Sequence, residues 1–204
     1  MIIKTKALGH IGANCYVLES LESVVVIDTG KYDKEILQAL NTEKEVLILL
    51  THCHFDHIGG AQRLREESGA KIAIGEGDFL STLDGAKTMS DVFRANVLPF
   101  KADIALKDNQ IITVGDIEIK CIETPGHTKG GMCYLIDGKL FSGDTLFKDS
   151  IGRTDFIDGS FVELSSSIKK LYDLLPDETI VYPGHGEPTS IGREKLSNPF
   201  VRDI

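Results

Sequence analysis

The sequence predicts an α+β protein built as a four-layer αββα sandwich. Three observations predict it. Short β-like runs fill roughly residues 1–75 and return over roughly 110–185. Each β-rich half is followed by segments of helical spacing, which such a sheet needs to cover one of its faces. The chain of 204 residues is long enough for one well-buried core and short for two, and no linker stands out, so residues 1–204 read as one domain.

The first half opens with three runs, Ile2–Leu8, Cys15–Glu19 and Val24–Asp28. The last of these ends at Asp28-Thr29-Gly30, a turn signal. Residues 33–41 place Ile36, Leu37 and Leu40 at helical spacing behind the acidic Asp33. Val46–Leu50 is apolar throughout, the mark of a strand buried on both faces. A helix over Gly59–Ser68 and a strand over Lys71–Ile74 follow. Residues 77–101 show no clean period and suit a lid or short insertion. Phe79, Met89 and Phe93 are its candidate pocket contacts, although packing is the commoner use of such residues. The second half reads as strands at Ile111–Val114, Ile117–Glu123, Met132–Ile136 and Leu140–Phe141, with Asp137-Gly138 as a hairpin turn. A helix at Phe161–Leu175, a strand at Thr179–Tyr182 and a short helix near Ile191–Leu196 complete the pattern.

Composition narrows the function. An apolar fraction of 42% and a charged fraction of 26% are ordinary for a soluble globular protein. The net charge of −9, with no dense Lys/Arg run, argues against nucleic acid as a partner. No apolar stretch approaches the roughly 20 residues that span a bilayer, so no membrane role is expected. Nor does the N-terminus carry a run of signal-peptide type. Cys15, Cys53, Cys121 and Cys133 are scattered without a CxxC pair, which fits reduced thiols and a cytoplasmic location. Nothing in the pattern speaks to oligomeric state.

The chemistry sits in the histidines. Five of the six fall in a spaced set with two aspartates: His52, His54, Asp56 and His57, then His127, Asp144 and His185. Each segment follows an apolar run, where a strand would end and where ligand sites collect in α/β layers. In an extended segment residues two apart share a side, so His52 and His54 can reach one metal while Cys53 points away. A turn then lets Asp56 and His57 face a second. His127, set on Pro125-Gly126, can complete the first group, and His185, set on Pro183-Gly184, the second. Asp144, with two oxygens and a negative charge, is the natural bridge. One such residue alone is ordinarily a core histidine, a turn residue or a helix cap; the joint pattern is what points to metal. Imidazole and carboxylate donors suit two divalent ions, zinc first, with iron or manganese also accepted. His10 stands apart from the set and reads as structural or exposed. Asp28 reads as a turn cap or, less commonly, as the group that fixes a ligand histidine's tautomer.

The string His-x-His-x-Asp-His with His127, Asp144 and His185 resembles the metallo-β-lactamase superfamily. Thr124–Thr128, Leu140–Phe147 and Ser150–Asp155 narrow the resemblance to its glyoxalase II-like (hydroxyacylglutathione hydrolase-like) branch. The ending Thr189–Lys195 with Asn198-Pro199-Phe200 resembles the short members of that branch. The resemblance implies the αββα fold and a dinuclear site. His52, His54 and His127 would hold one metal, Asp56, His57 and His185 the other, with Asp144 and a hydroxide bridging. It implies hydrolysis of a small-molecule thioester such as S-lactoylglutathione, with Asp56 also holding or accepting the hydroxide's proton. Arg153 stands where larger relatives have a basic glutathione contact, so it is the candidate substrate-binding residue. The 19 residues after His185 leave out the helical region with which full glyoxalase II enzymes grip glutathione.

The alternative on the same fold is a persulfide dioxygenase, an oxidoreductase that resembles this chain at Gly152–Asp155. It would use one iron on the face made by His52, His127 and Asp144. True β-lactamases, with an export signal and often Cys at the Asp144 position, and RNA-processing relatives, with more basic surface, fit less well.

Overall fold

The computed structural model describes residues 1–201. Two six-stranded sheets face each other. The first runs in the order β1 (Ile2–Leu8), β2 (Ala13–Glu19), β3 (Ser23–Ile27), β4 (Glu45–Leu49), β5 (Lys71–Gly75) and β6 (Ile104–Leu106). β1 to β3 pair antiparallel, and β3 to β6 pair parallel. Parallel neighbours need crossovers. These are α1 (Lys34–Leu40), the pair α2 (Phe55–Ile58) and α3 (Ala61–Ser68), and the 76–103 segment. The last contains α4 (Ser90–Phe93) and two 3₁₀ turns, at Glu76–Asp78 and Ser81–Leu83.

The second sheet comes from β7 (Ile111–Val114), β8 (Ile117–Glu123), β9 (Met132–Ile136), β10 (Lys139–Gly143), β13 (Ile180–Pro183) and β14 (Thr189–Ser190). Between β10 and β13 lie the small hairpin β11 (Leu146–Phe147) and β12 (Ser150–Ile151), and α5 (Phe161–Leu174). α6 (Ile191–Ser197) follows β14. The Asp137-Gly138 turn has φ of 48° and 69°, the left-handed pair that a two-residue hairpin requires.

The period-2 alternation of the strands builds the layers. Val24, Val26, Ile48 and Leu50 face α1 and α3. Their neighbours Val25, Ile27, Leu47 and Leu49 face the other sheet, where they meet Ile119, Tyr134 and Phe141. Ile122, Cys133, Leu140 and Val181 turn outward to Leu164, Ile168 and Leu171 of α5. Three apolar seams between four layers result, the predicted αββα arrangement. The four cysteines are free and buried. Among the described residues no helix is long and apolar enough to cross a membrane.

Buried polar bonds pin the two sheets at one end. Tyr134 Oη donates to the Leu50 carbonyl (2.6 Å), and the Met132 amide to that of Thr51 (2.8 Å). From the other side, Tyr16 Oη donates to the Pro183 carbonyl (2.6 Å) and the Asn14 amide to that of Gly184 (2.7 Å). Each bond fixes a segment that leaves a strand and carries candidate ligands.

Candidate metal centre

All seven ligand-type side chains lie at that pinned end. β4 exits into Thr51–His54, and His54 opens α2, which carries Asp56 and His57. His127 follows β8, Asp144 follows β10 and His185 follows β13. Their donor atoms form three overlapping groups, His52-His54-His127, His52-His57-Asp144 and Asp56-His57-His185, each within 4.8 Å. His54 Nδ1 is 2.9 Å from His127 Nε2. Asp56 Oδ2 is 3.1 Å from His185 Nε2 and 3.4 Å from His57 Nε2. Asp144 spans both sides: Oδ1 lies 3.2 Å from His57 Nε2, and Oδ2 lies 3.5 Å from His127 Nε2 and 3.6 Å from His185 Nε2. The fold therefore brings the predicted set together, with Asp144 between the two clusters.

The surrounding bonds set the tautomers. His127 Nδ1 donates to the Arg153 carbonyl at 2.7 Å; a carbonyl only accepts, so Nε2 keeps its lone pair. His57 Nδ1 donates to Asp28 Oδ2 at 2.8 Å, which likewise turns Nε2 inward. Thr51 Oγ1 gives its own proton to Asp28 Oδ2 (2.8 Å) and so accepts from His52 Nδ1 (3.0 Å). Asp28 Oδ1 also accepts the Thr51 amide at 2.8 Å. Asp28, 2% exposed and left-handed at φ 55°, thus orients His57 directly and His52 through Thr51. Of the two sequence readings of Asp28, this bonding is that of a tautomer-fixing group.

The set fits a metal on its own terms. His52 Nε2, His54 Nε2 and Asp144 Oδ1 are buried without a hydrogen-bond partner, and orphan polar atoms are expensive unless something else satisfies them. Burial pushes His52 down, and neighbouring histidines push it further; burial likewise brings His54 down to about 3. Both imidazoles are neutral at pH 7, the form that binds metal. Burial also opposes charge on His57, Asp56 and Asp144, but opposite charges outweigh it. His57 is held well above its usual value by Asp144, Asp56 and Asp28, and the two carboxylates are held low by His57 and its neighbours. Cationic charge is what the cluster calls for, and divalent ions would supply it.

Small residues make the close approach possible. A Cβ at Gly184 would overlap Asp144 Oδ1 and come within 2.8 Å of His57 Cε1. Asp78 holds the two ligand loops together. Its carboxylate accepts from the Cys53 amide (3.0 Å), Thr128 Oγ1 (2.7 Å) and the Gly130 amide (2.9 Å), beside His52, His54 and His127. Thr51 and Asp78 were missed at the sequence level, although Asp78 sits just past a strand in Gly75-Glu76-Gly77-Asp78.

A cleft of about 430 Å³ opens onto the cluster, walled by Phe55, Met89, Phe93, Phe147 and Phe156. Met89 and Phe93 are therefore wall residues, whereas Phe79 packs against the hydrophobic core on the helix side of the first sheet and does not line the cleft. Arg153 lines the rim, where its guanidinium forms a bidentate pair with Asp155 (2.9 and 2.7 Å) and lies 4.2 Å from the Phe156 ring centroid. His10 is exposed. A larger groove of about 520 Å³ beside β1 and α1 has its charges paired with one another, Lys4 with Glu19 and Lys6 with Glu35, and holds no comparable cluster.

Fold and site together define an αββα protein with a histidine–aspartate pocket of metal-ligand type at its strand ends. The metallo-beta-lactamase superfamily model matches residues 8–185, and the chain belongs to that superfamily. It is 37% identical to a protein of Aquifex aeolicus, covering 100% of this chain and 99% of the relative. It is 33% identical to "Probable metallo-hydrolase YqgX" of Bacillus subtilis (95% and 94% covered). With "Hydroxyacylglutathione hydrolase GloC" of Haemophilus influenzae it shares 34% identity (92% of each). Among solved structures it is similar to the BLEG-1 B3 metallo-beta-lactamase (TM-score 0.89, 35% identity, 98% and 99% covered). It is also similar to TTHA1623 in a di-iron-bound form (0.85, 29%, 98% and 100%) and to ETHE1 from Myxococcus xanthus (0.76, 28%, 98% and 84%).

Proposed function

We propose that the protein is a two-metal hydrolase of small-molecule thioesters. The observation that carries this reading is the pair of donor groups His52-His54-His127 and Asp56-His57-His185 with Asp144 between them, 3.5 Å from His127 and 3.2 Å from His57, at the floor of a single cleft. His52, His54 and His127 would hold one ion and Asp56, His57 and His185 the other, with Asp144 serving both. Ions bound there supply Lewis acidity to a carbonyl and acidify water to near neutrality. The donor set takes zinc, iron or manganese, and zinc is the first candidate.

The chain's own residues do the rest. Asp56 is ionised at neutral pH and lines the cleft, so it accepts a hydrogen bond and orients its donor, and cannot deliver a proton as an acid. No other carboxyl in the cleft is held protonated, which suits a leaving group such as a thiolate that departs without protonation. The aromatic walls exclude water around the acyl group and position it. Arg153, its charge answered by Asp155, offers hydrogen bonds to substrate from the rim. The likeness to a hydroxyacylglutathione hydrolase supports the thioester class. Four buried free thiols support a cytoplasmic location.

The test is a panel assay on metal-loaded protein: S-lactoylglutathione, acyl-coenzyme A thioesters, a chromogenic β-lactam, and oxygen uptake with glutathione persulfide. The expected result is thiol release from at least one thioester, abolished by Asp144→Ala. Turnover of the β-lactam alone, the activity named for the BLEG-1 neighbour, would replace this reading. Oxygen consumption without hydrolysis would favour the one-iron oxidoreductase.

A further inference from the structure

A second cavity of about 420 Å³ adjoins the first. The two share Ile11, Phe55, Asp56 and Phe93, and the stacked rings of Phe55 and Phe93 (centroids 5.0 Å apart) form the ridge between them. Together they make a bent cleft with the metal cluster in one arm and Asp56 at the junction. The arms differ in charge. In the metal arm the one long cation, Arg153, is tied bidentately to Asp155. The second arm is lined by His10, Lys31, Arg94 and Asn96, and among the described residues neither Lys31 nor Arg94 pairs with a carboxylate. These cations stand out on a protein of net charge −9, whose overall field repels anions.

The backbone at Arg94 is a second, independent observation. α4 is bracketed by Met89 at φ 60° and Arg94 at φ 51°, both left-handed. Glycine or asparagine would adopt that conformation more cheaply, and a long side chain there is held against its backbone preference. The strain places a long cationic side chain at the wall of the second arm. Such strained positions cluster where a ligand is clamped.

We infer that this second arm is the subsite for an anionic tail on the thiol half of the substrate, with Lys31 and Arg94 as its specificity-determining residues. The inference rests on the thioester reading and names the half of the substrate that the reading leaves open. The acyl group lies in the aromatic metal arm, the scissile carbonyl at the cluster near Asp56, and the thiol's tail bends past Phe55 and Phe93 to the cations. Carboxylates of a glutathione-like thiol and phosphates of a coenzyme A-like thiol share the chemistry required. An uncharged thiol lacks it.

The experiment compares kcat/KM for one acyl group carried on glutathione, on coenzyme A and on uncharged N-acetylcysteamine. Lys31→Met and Arg94→Met are each expected to lower the anionic-to-neutral kcat/KM ratio about fivefold, as loss of one partly exposed charge contact does, chiefly through KM. Whichever anionic thiol shows the fall is the source of the tail. Lys120→Met, which changes net charge equally but lies on β8 outside both arms, is expected to leave the ratio alone. Equal losses on charged and neutral thioesters, or no loss, would overturn the subsite. Should wild-type protein hydrolyse no thioester, the thioesterase reading falls by itself. The subsite is then judged by NMR titration with S-methylglutathione and coenzyme A. Amide shifts at Lys31 and Arg94 that vanish in the double methionine variant uphold it, and shifts elsewhere or none overturn it.

Discussion

Replacing Asp28 by Asn probes how the site is held. The carboxylate accepts three bonds of 2.8 Å, from the Thr51 amide, Thr51 Oγ1 and His57 Nδ1. Asparagine is nearly the same size but has one acceptor oxygen and an NH₂ group that can only donate. Whichever way the amide turns, a donor faces a donor in a pocket that is 2% exposed. One buried group left unsatisfied costs about 1–3 kcal/mol, so the metal-free protein should unfold at lower temperature. The larger effect is on His57 and His52. His57 relieves the clash by moving its proton to Nε2, which removes the lone pair aimed at Asp144 and Asp56, and His52 loses the fixed Thr51 hydroxyl. Loss of such an orienting partner weakens metal binding by about 10–100-fold. Competition titration against a chromophoric chelator, on wild-type and Asp28→Asn protein at one pH, measures this directly. Affinities within twofold of each other would refute the claim that Asp28 sets the donor tautomers.

Further expectations follow the same geometry. Gly184→Ala should abolish binding of at least one ion, because its methyl overlaps Asp144 Oδ1; retention of full metal content in elemental analysis would contradict the packing described. Asp78→Ala strands three buried donors and frees the Cys53 loop from the Gly130 loop, so thermal unfolding should show a loss of about 2–4 kcal/mol; a change below about 0.5 kcal/mol would count against the clamp. Metal-free protein should also lose stability on acidification. His54 is held to about 3 when folded and returns to about 6.5 when unfolded, so between those values the unfolded chain binds the extra proton and stability falls as pH is lowered. At pH 5 that amounts to the order of 2 kcal/mol for this side chain. His57 and His185, which are raised, act in the opposite sense as pH increases. Denaturant titrations of wild-type and His54→Asn protein from pH 7.5 to 5 should therefore diverge; parallel curves would refute the assignment.

How much could be read in advance depends on how local each signal is. Val24–Ile27 and Val46–Leu49 announced buried strands because both their faces are covered, by helices on one side and the other sheet on the other. The candidate ligands were visible because the strands that carry them end just before them and turn residues such as Pro125-Gly126 and Pro183-Gly184 follow. β6, β11 and β12 have three or two residues each, too few for any period, and exist only through their pairing partners. The helix expected over Gly59–Ser68 begins at Ala61 in the structure, with the separate short α2 before Gly59-Gly60, and Gly60 is small because a Cβ there would lie 2.6 Å from the Lys31 carbonyl carbon. Asp28 lies 23 residues from Thr51, and Asp78 lies 25 residues from Cys53 and 50 and 52 from Thr128 and Gly130, so their roles are tertiary and have no local sequence signature. The same holds for Lys31 and Arg94, which share a cavity only because α4 folds back across Phe55.

Everything functional here depends on the histidine–aspartate pocket holding two ions at once. Elemental analysis of reconstituted, desalted protein measures that number. The prediction is two equivalents of divalent metal per wild-type chain, one remaining after His54→Ala and one after His185→Ala, each variant still folded. Binding of less than one equivalent by the wild type, or an unchanged metal content in both variants, would contradict it.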